Sequence, residues 1–208
     1  NALAGRLAQG KLPVAQASGE FRLADDAVRL SALSINRGEF SGDIELQRTP
    51  DSPAVTVAGR LRGLRVSDYW PTPPDVPPLV LSGRIDLRGK AAPRPAGTLE
   101  FALEDSRVGD WPVSGSGTLV LDALALQVDG LKLRAGANRL QADGRLEMGG
   151  GDLRFSLDAP KLAQLGAAFA GSLEIEGRLS GSFAAPALAA RWQAGSLRAP
   201  GGIAVGDT

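Results

Sequence analysis

Gly97-Thr98-Leu99-Glu100-Phe101-Ala102-Leu103 is the stretch that decides the fold. Leu99, Phe101 and Leu103 occupy every second position, with Glu100 and then Glu104 between or beside them. In a strand, successive side chains point to opposite faces, so this segment has one oily side and one wet side. The same alternation extends outward. Upstream it appears at Phe21/Leu23, Val28/Leu30, Ile44/Leu46, Val55/Val57, Leu79/Leu81 and Ile85/Leu87. Downstream it returns at Leu124/Leu126/Val128, Leu131/Leu133, Leu146/Met148, Leu153/Phe155/Leu157 and Leu173/Ile175. Charges fill the gaps, as in Arg84 and Asp86 or Glu174 and Glu176. Hydrophobic-in, polar-out alternation is the pattern of an antiparallel sheet with one buried face. The chain reads as all-β.

A second regularity overlies the first. A glycine, one further residue and an apolar–x–apolar strand recur from Gly19, Gly42, Gly83, Gly97, Gly117, Gly144 and Gly171. The spacing is too irregular for a strict solenoid and predicts hairpins restarted again and again, with glycine as the punctuation. Two stretches interrupt the pattern. Pro71 to Pro78 is proline-rich and predicts an extended connection that cannot join a ladder. Pro160 to Ala170 predicts one short helix packed on the sheet, with Pro160 in its first turn and Leu162, Leu165 and Phe169 on one side. Ala24 to Ile35 fits either period, and the following Gly-Glu-Phe repeat favours strands. Residues 1–208 read as a fragment of a longer domain of this kind.

Composition narrows the function. Lys+Arg and Asp+Glu balance at 23 each, so there is no basic surplus of the kind nucleic-acid binding exchanges for counterions. With no cysteine and no histidine, thiolate sites are excluded and the commonest catalytic base and metal ligand are missing. Asp25/Asp26 are adjacent turn residues, and Glu174/Glu176 share the wet face of one strand, so neither pair reads as an acid/base couple. Gly149-Gly150-Gly151-Asp152 and Gly115-Ser116-Gly117 match no phosphate-binding fingerprint. Trp70, Trp111 and Trp192 are isolated. No catalytic residue, metal or cofactor is expected.

What needs a function is the oily face. A single sheet of about a dozen strands, at about 4.8 Å each, would stretch roughly 60 Å and must curl to shield that face. A curled sheet that stays open leaves a hydrophobic groove. Its predicted lining is Leu99, Phe101, Leu103, Leu124, Leu126, Leu153, Phe155, Leu157, Leu173 and Ile175. Such a groove suits acyl chains: each CH₂ exposed to water costs about 0.8 kcal/mol, on the order of 20 kcal/mol for a two-chain lipid.

The last part of the chain carries a more specific signal. Leu131-Lys132-Leu133 is followed by Gly136-Ala137-Asn138-Arg139-Leu140-Gln141-Ala142-Asp143-Gly144-Arg145-Leu146, then by Leu153 to Leu162, Gly171 to Gly181, and Pro186-Ala187-Leu188 before Ala190-Arg191-Trp192. This succession, from about Leu119 to Val205, resembles the TamB family, the inner-membrane subunit of the translocation and assembly module of Gram-negative bacteria. The resemblance implies a β-taco fold, a U-shaped sheet with an apolar interior, in the periplasmic segment of an inner-membrane-anchored protein. It implies the outer-membrane β-barrel TamA as partner, contacted through regions outside this stretch. It further implies a non-enzymatic role in autotransporter and outer-membrane protein assembly and in phospholipid transport between the membranes, with phospholipid acyl chains or unfolded β-strand clients as cargo. Two other readings stand beside it. A secreted β-helical adhesin would want shorter, more regular coils with stacked Asn and Thr. A closed ligand-binding barrel or an enzyme would want convergent polar groups in a pocket.

Overall fold

Alternation at this scale gives each strand one apolar face, and strand laid beside strand joins these faces into one. In the computed structural model the described residues are 17–35, 39–48, 52–68, 77–90, 95–122, 124–166, 169–182, 185–199 and 203–205. They form strands β1 (Ala17–Leu23), β2 (Ala27–Ile35), β3 (Glu39–Gln47), β4 (Ala54–Arg65), β5 (Leu79–Lys90), β6 (Ala96–Val108) and β7 (Trp111–Asp122). They continue with β8 (Ala125–Ala135), β9 (Asn138–Glu147), β10 (Gly150–Ala159), β11 (Ala170–Ser182), β12 (Ala185–Ala199) and β13 (Ile203–Val205). All thirteen join in one sheet whose spatial order is the chain order, and every neighbouring pair is antiparallel. β1 and β13 do not meet, so the sheet curls without closing into a barrel. The ambiguous segment from Ala24 resolves into strand, because β2 finds partners on both sides.

The helix expected over Pro160–Ala170 is a single 3-10 turn, Leu162–Leu165. Gly166 follows at once, and Ala170 already belongs to β11. A second 3-10 turn, Val66–Asp68, follows β4. Of the proline-rich connection, Pro77 and Pro78 are described and lie outside any regular element; the rest falls outside the described residues.

Of the recurrent glycines, Gly97 and Gly171 stand second in β6 and β11 and Gly19 third in β1, close to where each strand begins; the other four do not mark hairpins. Gly42, Gly83, Gly117 and Gly144 lie well inside β3, β5, β7 and β9, at positions that alternate with Ile44, Ile85, Leu119 and Leu146 and so share the apolar face. Gly83 shows why. It sits at φ +146, and a Cβ there would run into the carbonyl of Ala102 on the next strand. Glycine inside a strand marks a sharp bend or a close backbone approach, and here it marks both.

Bulges supply the rest of the bend. Each shift of register places its extra residue on an even-numbered strand: β2, β4, β6, β8 or β12. Even strands all run the same way, so the added twist accumulates along one strand direction. The bulges contain residues with positive φ, namely Gly63, Asp105, Gly130 and Ser196. Three are pinned from a neighbouring strand. The Gly63 N–H donates to Ser82 Oγ (2.9 Å), and the Gly130 N–H donates to Asp143 Oδ2 (2.9 Å). Beside Asp105, buried Ser106 accepts from the Ser82 N–H and donates to the Ser82 carbonyl, both at 2.8 Å.

The described strands form one sheet with no second sheet beside it, and they make close contact only near their own place in the order. The buried apolar set is accordingly small: Phe40, Ala125, Val128, Leu146, Ala159 and Leu162, with no large side chain fully buried among the described residues.

Candidate functional site

Between the bulges the strand pairing is regular, and there the apolar positions line up in rows across the sheet. One row runs Phe21–Leu30–Ile44–Val57–Leu87–Leu99–Leu119–Val128–Gly144–Leu153–Leu179–Leu188. It crosses from β1 to β12, roughly 50 Å at about 4.8 Å per strand, without a polar side chain. A second row includes Ile85, Phe101 and Gly117, and beyond the β8 bulge Ala142, Phe155, Gly177 and Ala190. A third runs Leu103–Gly115–Leu133–Leu140–Leu157–Ile175–Trp192. Cross-strand pairs of this kind are the unit of sheet stabilisation, each contributing about 0.2–1 kcal/mol. Phe155 does more: its ring occupies the space a Cβ on Gly177 would need, so ring and glycine fit each other.

Nine of the ten predicted lining residues fall in these rows or directly beside them. Leu99 and Leu153 share the first, Phe101 and Phe155 the second, Leu103, Leu157 and Ile175 the third. Leu126 pairs with Leu121 and Leu146, and Leu173 with Ala159 and Ala194. Leu124 departs from the set. It belongs to the turn that closes Asp122 against Ala125, and it is exposed. The alternation Leu124/Leu126/Val128 therefore runs one step past the end of β8. Leu119, Leu140, Leu179, Leu188 and Trp192 belong to the rows and were not in the predicted lining; their period-two spacing from neighbours on the same strand is the signal that finds them. Trp192, isolated in sequence, stands opposite Ile175.

The other face is charged and ordinary. Arg29 and Glu45 pair at 2.8 Å, and Arg178 and Arg154 both reach Asp152, at 2.6 and 3.4 Å. Such exposed pairs contribute about 0–1 kcal/mol each. The best-formed cavity, about 740 Å³, is a furrow on this charged side. Its walls are Lys132, Gln141, Ser156, Glu176 and Arg191 against Asp143, Arg154 and Arg178, and its floor includes the backbone of Gly177, whose opposite side Phe155 covers. Nothing in it converges on a point as acid/base chemistry requires. Among the described residues no cluster of acidic side chains could hold a metal ion, and no helix is long and apolar enough to cross a membrane.

No curated protein and no solved structure matches the chain. A family model does: the TamB N-terminal domain, over residues 5–200. That family comprises envelope proteins of Gram-negative bacteria engaged in the transport or assembly of lipid or protein. An open, curled antiparallel sheet with one face apolar from end to end, matched to that model over nearly its whole length, belongs to the TamB family.

Proposed function

We propose that this chain is a periplasmic segment of a translocation and assembly module, and that its apolar face is the inner surface of a β-taco groove carrying phospholipid acyl chains between inner and outer membrane. The work is done by a surface and not by reacting groups, so the role is non-enzymatic. Leu99, Phe101, Leu103, Leu126, Leu153, Phe155, Leu157 and Ile175 form the floor, joined by Leu119, Leu179 and Leu188, with Leu173 at its rim. One observation supports this above the rest: an apolar row crosses twelve strands of a single sheet, and several of its side chains, Phe21, Leu87 and Leu188 among them, are exposed. An apolar surface of that extent is costly in water, at about 25 cal/mol per Å². An acyl chain laid along the rows removes the cost on both sides and needs no sequence-specific recognition. In the intact protein the segment is held by an inner-membrane anchor and works with TamA, through regions outside this chain. Native mass spectrometry of the purified chain tests the reading. Co-purifying phospholipid, released by a Phe155→Arg substitution, is the expected outcome; a lipid-free chain after gentle extraction contradicts it.

A separate observation favours a β-strand client in outer-membrane protein assembly. β13 pairs with β12 only at Leu197, Arg198 and Ala199, so among the described residues the outer edge of β12 from Ala185 to Gly195 has no strand partner. Exposed edges accept strands. Crosslinking of an autotransporter hairpin to Ala189 or Trp192 would support that use, and its absence there would exclude it.

A further inference from the structure

The connection between β10 and β11 is built unlike a turn. Asn138 alternates with Leu140 and Ala142 and so projects from the apolar face. Its side chain grips the connection: Nδ2 donates to the Lys161 carbonyl (3.0 Å) and Oδ1 accepts from the Lys161 N–H (3.1 Å). The main chain at Lys161 therefore folds back over the apolar side of the sheet and does not continue past its end. Gln164, in the 3-10 turn, accepts from the Ala137 N–H (2.7 Å), and its amide fills the space beside Gly136. The Gly136 N–H in turn donates to the Pro112 carbonyl (2.8 Å), which ties the same fastening to the start of β7. Asn138 and Gln164 are 3% and 8% exposed, Ala159 0% and Leu162 5%. On a sheet whose face is otherwise only half covered, this is the most thoroughly buried spot. Asn138 is bonded through both its amide atoms and Gln164 through its oxygen, which fixes one geometry, and losing a partner there is expensive.

We propose that Asn138 and Gln164 are positioning residues that latch the Pro160–Gly166 connection as a fixed cap over one rim of the apolar face. The cap closes the row through Ala159 and Leu173 to ligand and confines acyl chains to the rows through Leu153, Phe155 and Leu157. This use of the cap rests on the groove reading above, whereas the latch itself does not.

The chain contains no cysteine, so a single introduced thiol reports cleanly. In a Leu162→Cys chain, a water-soluble maleimide should react slowly. Adding Asn138→Ala or Gln164→Leu should speed that reaction at least about tenfold, because each removes hydrogen bonds that hold the cap shut. A Val128→Cys reporter, buried on β8 away from the cap, should stay slow in the same backgrounds. Unchanged labelling at Leu162 overturns the latch, and so does equal acceleration at Val128, which would mean the amides hold the whole sheet. For the ligand, benzoylphenylalanine at Leu153 and at Leu173 is irradiated with vesicles of phosphatidylethanolamine and phosphatidylglycerol. Native latch residues should give capture at Leu153 and not at Leu173, with Leu173 gaining capture in the Gln164→Leu chain. Equal capture at both sites in the native chain overturns the occluding role. Capture at neither site in any chain sinks the groove reading, and the latch is then decided by thiol labelling alone.

Discussion

Leu179 and Leu188 carry the same side chain, stand opposite each other on β11 and β12, and lie in the same apolar row. Leu179 is half-buried, while Leu188 is 64% exposed. Ile175 and Trp192, two places along, repeat the contrast: the inner residue is half-buried and the outer is 60% exposed. Phe21 on β1 is likewise exposed at the opposite edge. With the row held constant, only the number of flanking strands changes. Burial on this face is therefore largely lateral. Much of the cover on an apolar side chain comes from the strands to its left and right, although Leu87, flanked on both sides in the same row, is still 36% exposed, and near Ala159 the β10–β11 connection adds cover from above. A sandwich would bury its outer strands against an opposing sheet, whereas this face stays half open along its length.

The strongest way to break the lateral scheme is to obstruct the bend that brings neighbours together. Gly83→Val should cost at least about 3 kcal/mol, since φ +146 is unfavourable for a β-branched residue and the new side chain meets the Ala102 backbone. Urea unfolding measures it, and a loss below 1 kcal/mol would show that the bend is not made there. Next comes Phe155→Arg, which removes the ring from Gly177 and sets a guanidinium among leucines. The expected loss is about 2–3 kcal/mol, less than for a fully buried Phe because this one is half-buried. The same chain should lose its bound lipid.

Leu179→Ala against Leu188→Ala is the direct test of the edge contrast. The inner substitution should cost about 1–2 kcal/mol and the outer one under about 0.5 kcal/mol, in proportion to the area each buries. Equal losses would mean that something covers Leu188 from above. Smallest of all are the charges on the other face. Asp158→Ala removes a 3.7 Å pair with Arg139 that is more than half exposed on both sides, and should shift stability by less than about 0.5 kcal/mol. A carboxylate there whose loss abolished envelope function in a folded chain would argue for chemistry in place of a surface.

The strands were legible in the sequence because alternation is a local property, and Leu99/Phe101/Leu103 or Leu153/Phe155/Leu157 need no partner to announce it. The face was legible for the same reason, apart from Leu124, where period two runs on into a turn. Four of the seven recurrent glycines misled. Gly42, Gly83, Gly117 and Gly144 suggest turns by composition, yet each sits mid-strand on the apolar face, where the backbone approaches its neighbour. That requirement comes from the adjacent strand, which a single segment does not display. The bulges were hidden likewise, since Gly63 and Gly130 are pinned by Ser82 and Asp143 from the strand alongside. The 3-10 turn replaced a helix because Lys161 and Gln164 answer to Asn138 and the β8–β9 turn more than to helical spacing.

The central claim is that one face of this sheet, and not the other, carries apolar chains. Photocrosslinkers placed singly at Leu153, Arg154, Phe155, Ser156 and Leu157 along β10 test it most directly, in the presence of phospholipid vesicles. Capture should alternate, strong at Leu153, Phe155 and Leu157 and weak at Arg154 and Ser156, because successive residues of a strand face opposite ways. Uniform capture along the strand, or capture confined to Arg154 and Ser156, would contradict the account.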